Sequence, residues 1–174
     1  MYNEKRLKKH MDKLKLGDLN AMDVIYDETH RLIYYHAYHI LKDPYLTEDI
    51  LQETYLKVLE NINSYNNQNP RAYITTIAKN LSINLLKKER RQIRVEETTL
   101  DVLVDENSET PLIELASHIL AEDEFMILIY CVVEDYTRKR VGEIMNLSTS
   151  GVSYKLNLAL EKLRNYIKDN NYEY

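Results

Sequence analysis

From Asp18 onward the apolar residues recur every three or four positions rather than every second one, the period of helices lying on a core. Met22, Ile25, Leu32, Ile33, Ala37, Ile40 and Leu41 fall on one stripe, predicting a long helix with Asp18 as N-cap and Asp43-Pro44 as its end. A second helix is expected from Thr47, with Glu48 and Asp49 in a first turn where carboxylates suit the helix dipole, to about Ile62. Ser64 to Asn69 reads as a polar loop. Pro70 then stands where a first helical turn tolerates it, opening a third helix to about Arg91.

Gln92 to Thr110 loses this period and reads as an acidic linker. Beyond Pro111, short helical segments are expected near Pro111 to Leu120, Glu122 to Val133 and Thr137 to Met145, followed by a longer helix from Thr149 to about Lys168. The last two are joined by Asn146, Leu147 and Ser148, a helix, tight turn, helix pattern. Asn146 tolerates the left-handed conformation of a helix terminus, Ser148 can cap the next helix, and Gly142 is small where two helices would cross. The tail Asp169 to Tyr174 is expected to fray. The resulting expectation is an all-α chain of two small helical domains, residues 1–94 and 111–174, joined by a linker over 95–110. Only 3 Gly and 3 Pro in 174 residues agree with that class.

Charge divides the chain more sharply than its net value of −5 implies. Residues 1–95 sum to +4, residues 96–119 to −7 and residues 120–174 to −2. Inside the first block, Asn69 to Arg94 carries 7 basic residues and 1 acidic, while Asp43 to Asn63 carries 1 basic and 5 acidic. Neighbouring segments of opposite sign imply two different partners.

Helical spacing assigns faces to those charges. On the second helix Asp49, Gln52, Glu53 and Leu56 share a side, an acidic patch with an apolar centre suited to a protein contact. The third helix sets Ile74, Ile77, Ala78, Leu81 and Leu85 against Thr76, Asn80, Asn84, Lys87, Lys88 and Arg91. Amides can read bases and cations can neutralise phosphates, while Tyr65 and Tyr73 nearby could stack on unpaired bases. On the last helix Val152, Leu156, Ala159, Leu163 and Ile167 form the buried stripe. That leaves Ser150, Ser153, Tyr154 and Asn157 outward at the end where a DNA-reading helix places its base contacts.

The runs EDILQETYLKVLENI (Glu48 to Ile62) and NPRAYITTIAKNLSINLLKKERR (Asn69 to Arg91) resemble region 2 of bacterial RNA polymerase sigma factors, most nearly the extracytoplasmic-function type that retains only regions 2 and 4. Leu120 to Ile167 is similar to region 4, with IMNLS (Ile144 to Ser148) at the turn. The resemblance implies an alternative sigma factor that binds core RNA polymerase and promoter DNA, catalyses nothing and needs no cofactor. Asp49, Gln52, Glu53 and Leu56 would dock on the polymerase. Tyr65, Asn66, Asn69, Tyr73, Asn80 and Asn84 would lie over the unpaired −10 strand, with Lys79, Lys87 and Lys88 on its phosphates. Ser150, Ser153, Tyr154, Lys155 and Asn157 would meet the −35 element. An anti-sigma factor is a further partner the resemblance admits. This chain departs from the family where basic residues are common, at Leu158, Leu160 and Glu161; it has Gly151 where Thr is common, and Tyr73 where Trp is common. The alternative is a sigma-like helix-turn-helix regulator acting without polymerase.

Composition excludes other classes. One Cys and 3 Gly leave no disulfide scaffold, Cys-rich zinc module or glycine-rich phosphate loop. His36, His39 and Asp43 share helical spacing but are expected to be surface or satisfied core rather than metal ligands, and Cys131 in its apolar run is expected to pack as a small hydrophobe. The cluster Glu122, Asp123, Glu124 resembles a helix N-terminus rather than an acid/base pair. No apolar run reaches the roughly 18 residues of a membrane span, and the basic N-terminus lacks the apolar core of a signal peptide; a cytoplasmic protein is expected.

Overall fold

In the computed structural model, which describes residues 4–92 and 111–170, the chain opens on a helix that periodicity alone did not announce. Helix α1 (Glu4–Lys15) buries Leu7, Met11 and Leu14, one residue per turn, among basic neighbours whose charge hides so thin a stripe. Two polar ties fix it. Arg6 pairs with Glu28 at 2.9 Å, and Lys15 Nζ donates to the Tyr65 carbonyl at 2.6 Å. Gly17, at φ +94°, turns the chain after it, a conformation a side chain would strain.

Helix α2 (Ala21–Leu41) begins two residues later than Asp18 as N-cap would set it: the cap position falls to Asn20, and the Asp18 carboxylate accepts the Asn20 N–H at 3.2 Å in a turn. It ends where expected, on Lys42 in the left-handed region, whose N–H donates to Tyr38 O at 2.8 Å. Partial burial lowers the Lys42 ammonium pKa to about 8. Helix α3 (Pro44–Asn61) corrects the expected start at Thr47. Asp43 is the N-cap, accepting the Leu46 N–H at 2.9 Å with Pro44 in the first turn, and Thr47 is buried one turn inside, its hydroxyl donating to Asp43 O. A short 3-10 turn, Ile62–Ser64, leads through the loop to α4 (Pro70–Gln92), which Asn69 caps by accepting the Ala72 N–H at 3.0 Å.

The first of two compact units, Met1–Thr98, is built around α2, against which α1, α3 and α4 all pack. Its core joins Leu7 and Met11 to Ile25 and Ile33, Tyr55 and Val58, and Ile74 and Ala78. A smaller cluster of Ala37, Leu41 and Ile50, with Leu81 and Leu85 against it, closes the far end of α2. The buried Tyr55 hydroxyl is satisfied: Tyr55 OH and Thr29 Oγ1 lie 2.9 Å apart, and burial raises the phenol's pKa well above its ordinary value.

The second unit, Thr99–Tyr174, consists among its described residues of α5 (Pro111–Ile119), α6 (Glu122–Leu128), α7 (Arg138–Met145) and α8 (Thr149–Asp169). The expected segment Glu122 to Val133 is continuous but changes period, α6 passing into a π turn over Ile129–Val133. Phe125, Met126, Ile127, Leu128 and Ile129 are all buried, joined by Val141, Val152, Leu156 and Ala159. The expected linker over residues 95–110 and residues 171–174 lie outside the described residues; of the tail expected to fray from Asp169, Asp169 closes α8 and Asn170 is its C-cap.

Met11 is fully buried, so Met11→Ala should cost the chain about 2–5 kcal/mol. Denaturant unfolding of the full chain checks this; an unchanged midpoint would mean that α1 is no part of the core.

Candidate nucleic-acid and protein interfaces

Starting α3 at Pro44 extends its outer face. Asp49, Gln52, Glu53 and Leu56 are all exposed, Leu56 at 58%, and Tyr45, 83% exposed, stands one turn before Asp49 on the same side. Sequence reasoning missed Tyr45 because it placed the helix start after it. The patch therefore has an aromatic and an aliphatic group flanking two acids and an amide, with Glu60 one turn further on and paired to Lys57 at 2.7 Å.

On α4 the polar stripe is where the spacing put it. Thr76, Asn80, Asn84, Lys87 and Lys88 are exposed, while Ile74, Ala78 and Ser82 face the core and Lys79 is half-buried. Ile83, 40% exposed, shares the stripe; an apolar residue on a helix is easily counted as core. Arg91 lies where side chains are not described. Two aromatic expectations fare differently. Tyr65 is 1% exposed, wedged beside Ile62 and Ile74 in the core, so its ring is not available to a base. Tyr73 is half-buried, its ring 5.1 Å from that of Tyr65 and its hydroxyl donating to Asn61 O at 3.0 Å. Asn66 and Asn69 are exposed, yet each spends its side-chain oxygen on the loop's own backbone, Asn66 accepting the Gln68 N–H and Asn69 capping α4.

In the second unit the turn between α7 and α8 is sharply defined. Asn146 adopts φ 55° and ψ 47°, its N–H donating to Gly142 O, and Ser148 accepts the Gly151 N–H at 3.0 Å as the cap of α8. Gly142 is required by this turn more than by a helix crossing: a Cβ there would stand 2.5 Å from Leu147 O. Ser150, Tyr154 and Asn157 are exposed and Ser153 half-buried, on the side of α8 opposite buried Val152, Leu156 and Ala159.

Lys155 departs from its expected role. Its Nζ lies 2.5 Å from Asp123, on the first turn of α6, and that hydrogen bond holds the Asp123 carboxyl below its ordinary pKa while raising that of the ammonium. Seven residues on, Lys162 pairs with Glu124 at 2.7 Å, and Glu124 also accepts the Ala121 N–H. The acidic cluster is thus a helix N-terminus that also clamps α8. Leu158 and Leu160 are half-buried and Glu161 exposed. Among the described residues no three His, Cys, Asp or Glu side chains converge as a metal site, His36 is buried, and no helix is long and apolar enough to cross a membrane. Cys131 is half-buried, and desolvation raises its thiol pKa.

Paired helical units, one with an acidic and an amide-rich face and the other with a helix-turn-helix, define the class. Residues 25–92 match Sigma-70 region 2. The chain is 24% identical over 186 residues to the ECF RNA polymerase sigma factor SigW of Bacillus subtilis (strain 168), covering 95% of this chain and 99% of that protein. It is 23% identical to SigM of the same organism, covering 83% and 93%. In fold it is similar to CnrH, solved with the cytosolic domain of CnrY, at a TM-score of 0.59 and 11% identity over 94% of this chain and 98% of that one. It is also similar to the sigma factor RpoE, solved with the anti-sigma factor NepR from Bartonella quintana, at 0.50 and 16% identity over 80% and 91%. Residues 25–92 thus carry a Sigma-70 region 2 domain, and over most of its length the chain is similar to extracytoplasmic-function sigma factors.

Gly142→Ala should destabilise the second unit by about 1–3 kcal/mol, because the added carbon meets backbone that cannot swing aside. Hydrogen exchange on α7 and α8 reads this directly. Unaltered protection would show that the turn opens freely.

Proposed function

We propose that this chain is a dissociable sigma subunit that joins core RNA polymerase and directs it to particular promoters. The observation that carries the proposal is the pair of outward faces on adjacent helices of the first unit, one acidic with apolar anchors and the other amide-rich and basic. A protein contact suits the first and a nucleic acid the second. Tyr45 and Leu56 supply apolar area at the docking patch, and Asp49 and Glu53 give it sign. Asn80 and Asn84 present donors and acceptors to unpaired bases, with Tyr73 beside them, and Lys87 and Lys88 neutralise phosphates. The Ser150 to Asn157 face would enter the −35 groove. A net charge of −5 gives the free chain little long-range attraction to DNA, so promoter binding should depend on the phosphate contacts polymerase adds. RpoE is held by an anti-sigma factor in its complex, and a partner of that kind is included here for this chain. The cytoplasm is the compartment this function requires.

Reconstitution with core polymerase and mapping of transcript starts is the test. Replacing Asp49 and Glu53 by Lys should abolish association in a pull-down, since reversed interface charges commonly cost several kcal/mol, while leaving helicity intact. Undiminished association removes the docking assignment, and specific promoter binding by the chain with no polymerase association would favour a free-standing regulator.

Base reading and phosphate contact separate within α4. Asn80→Ala should change the ranking of promoters, whereas Lys88→Ala should weaken all of them by a similar factor. Equal loss on every promoter from both variants would refute this division.

A further inference from the structure

Among the described residues of the second unit, three cations are committed inside the fold. Lys155 is held by Asp123, Lys162 by Glu124 and Arg140 by Glu143 at 3.2 Å. Two more, Arg164 and Lys168, lie roughly 21 and 27 Å along α8 from Ser150, at the rise of an α-helix, too far from its reading end. Arg138 and Lys139 remain. Both are exposed, and neither forms an ion pair among the described residues. Their position carries a local cost. They occupy the first turn of α7, which has no acidic residue, where the helix dipole opposes positive charge, whereas α6 fills the same turn with Glu122, Asp123 and Glu124. No ion pair among the described residues of the unit offsets that cost, which marks the pair as meeting an anion from outside.

The α7–α8 turn determines which anion. Leu147 O is seated on Gly142 and Asn146 locks the left-handed turn, so Arg138, Lys139 and the Ser150 face belong to one stiff piece. In such a piece the second helix enters the major groove while the first crosses the sugar-phosphate backbone. We propose that Arg138 and Lys139, not Lys155, make the charged contacts of this unit with duplex phosphates, leaving α8 to contribute uncharged contacts. The inference rests on the promoter-binding function above and names the residues that grip the duplex.

Two titrations against salt test it: the full chain assembled with core polymerase on a promoter fragment, and the full chain alone on a duplex carrying the same −35 region. Arg138→Ala with Lys139→Ala should weaken binding and lower the salt slope by about two, at roughly 0.9 per phosphate, with a thermal melt that is not lowered, since two cations opposed to the helix dipole are removed. The swap Arg138→Lys with Lys139→Arg should restore the slope, and Lys155→Ala should leave it unmoved. A slope lowered by Lys155→Ala and untouched by the double alanine variant would overturn the proposal. So would loss of polymerase association by that variant with the duplex slope intact, which would assign the cations to an acidic protein surface. If the wild-type chain never joins polymerase, the promoter-directing function fails, while the duplex titration still decides which cations meet phosphate.

Discussion

The burial of α2 governs the first unit. Three helices lean on it, and each commits its apolar stripe there: Leu7, Met11 and Leu14 from α1, Leu51, Tyr55 and Val58 from α3, and Ile74 and Ala78 from α4. At about 1.5–3 kcal/mol for each large side chain removed from water, this burial outweighs any of the surface ion pairs, which contribute at most about 1 kcal/mol each. Once those stripes are inward, the rest of each helix has no freedom about where it points. The acidic face of α3 and the amide-rich face of α4 are outward because the core fixes the rotation of both helices, and a 100° step per residue carries that rotation along their length.

In the second unit the governing contact is electrostatic as well as apolar. The first turn of α6 presents three carboxylates, and two of them capture Lys155 and Lys162, spaced seven residues apart on the flank of α8. Glu124 is buried, so its charge is tolerated through both Lys162 and the Ala121 N–H; the Asp123 pair is more open to water and contributes less. The same contact that orients α8 therefore engages two of its cations, Lys155 and Lys162, in ion pairs, while both side chains stay partly open to water. This is a structural reason for an outer face of α8 with little unpaired charge, distinct from the simple scarcity of basic residues between Thr149 and Glu161.

The helices of both units were legible in the sequence where periodicity was long, as in α2, α4 and α8, and their termini where the chemistry was unambiguous, as at Asn146 and Ser148. Errors arose where two local signals competed. Thr47 looked like a cap, but Asp43 followed by Pro44 is the stronger start, and the mistake hid Tyr45 from the exposed face. At α1 the dense positive charge obscured three buried residues. The residue type of Tyr65 permitted stacking on a base, but whether a tyrosine next to a loop turns inward depends on neighbours distant in sequence, here Ile62, Ile74 and the Lys15 contact to its carbonyl. Lys155 illustrates the same limit: its partner is 32 residues away, beyond the reach of any local pattern.

Partition of charge between internal and external use connects these findings to function. Among the described residues, the cations outside ion pairs include Lys87 and Lys88 on α4 and Arg138 and Lys139 on α7, which stand exposed beside uncharged polar faces. Each site then holds too few charges for tight binding on its own, since duplex affinity scales with the number of phosphates neutralised. Weak attachment at each of two sites becomes selective only when both are engaged together, because the second contact is then made at the high effective concentration the first provides. For the dissociable subunit proposed above, sites that are individually weak and jointly sufficient are the arrangement that would permit both engagement and release.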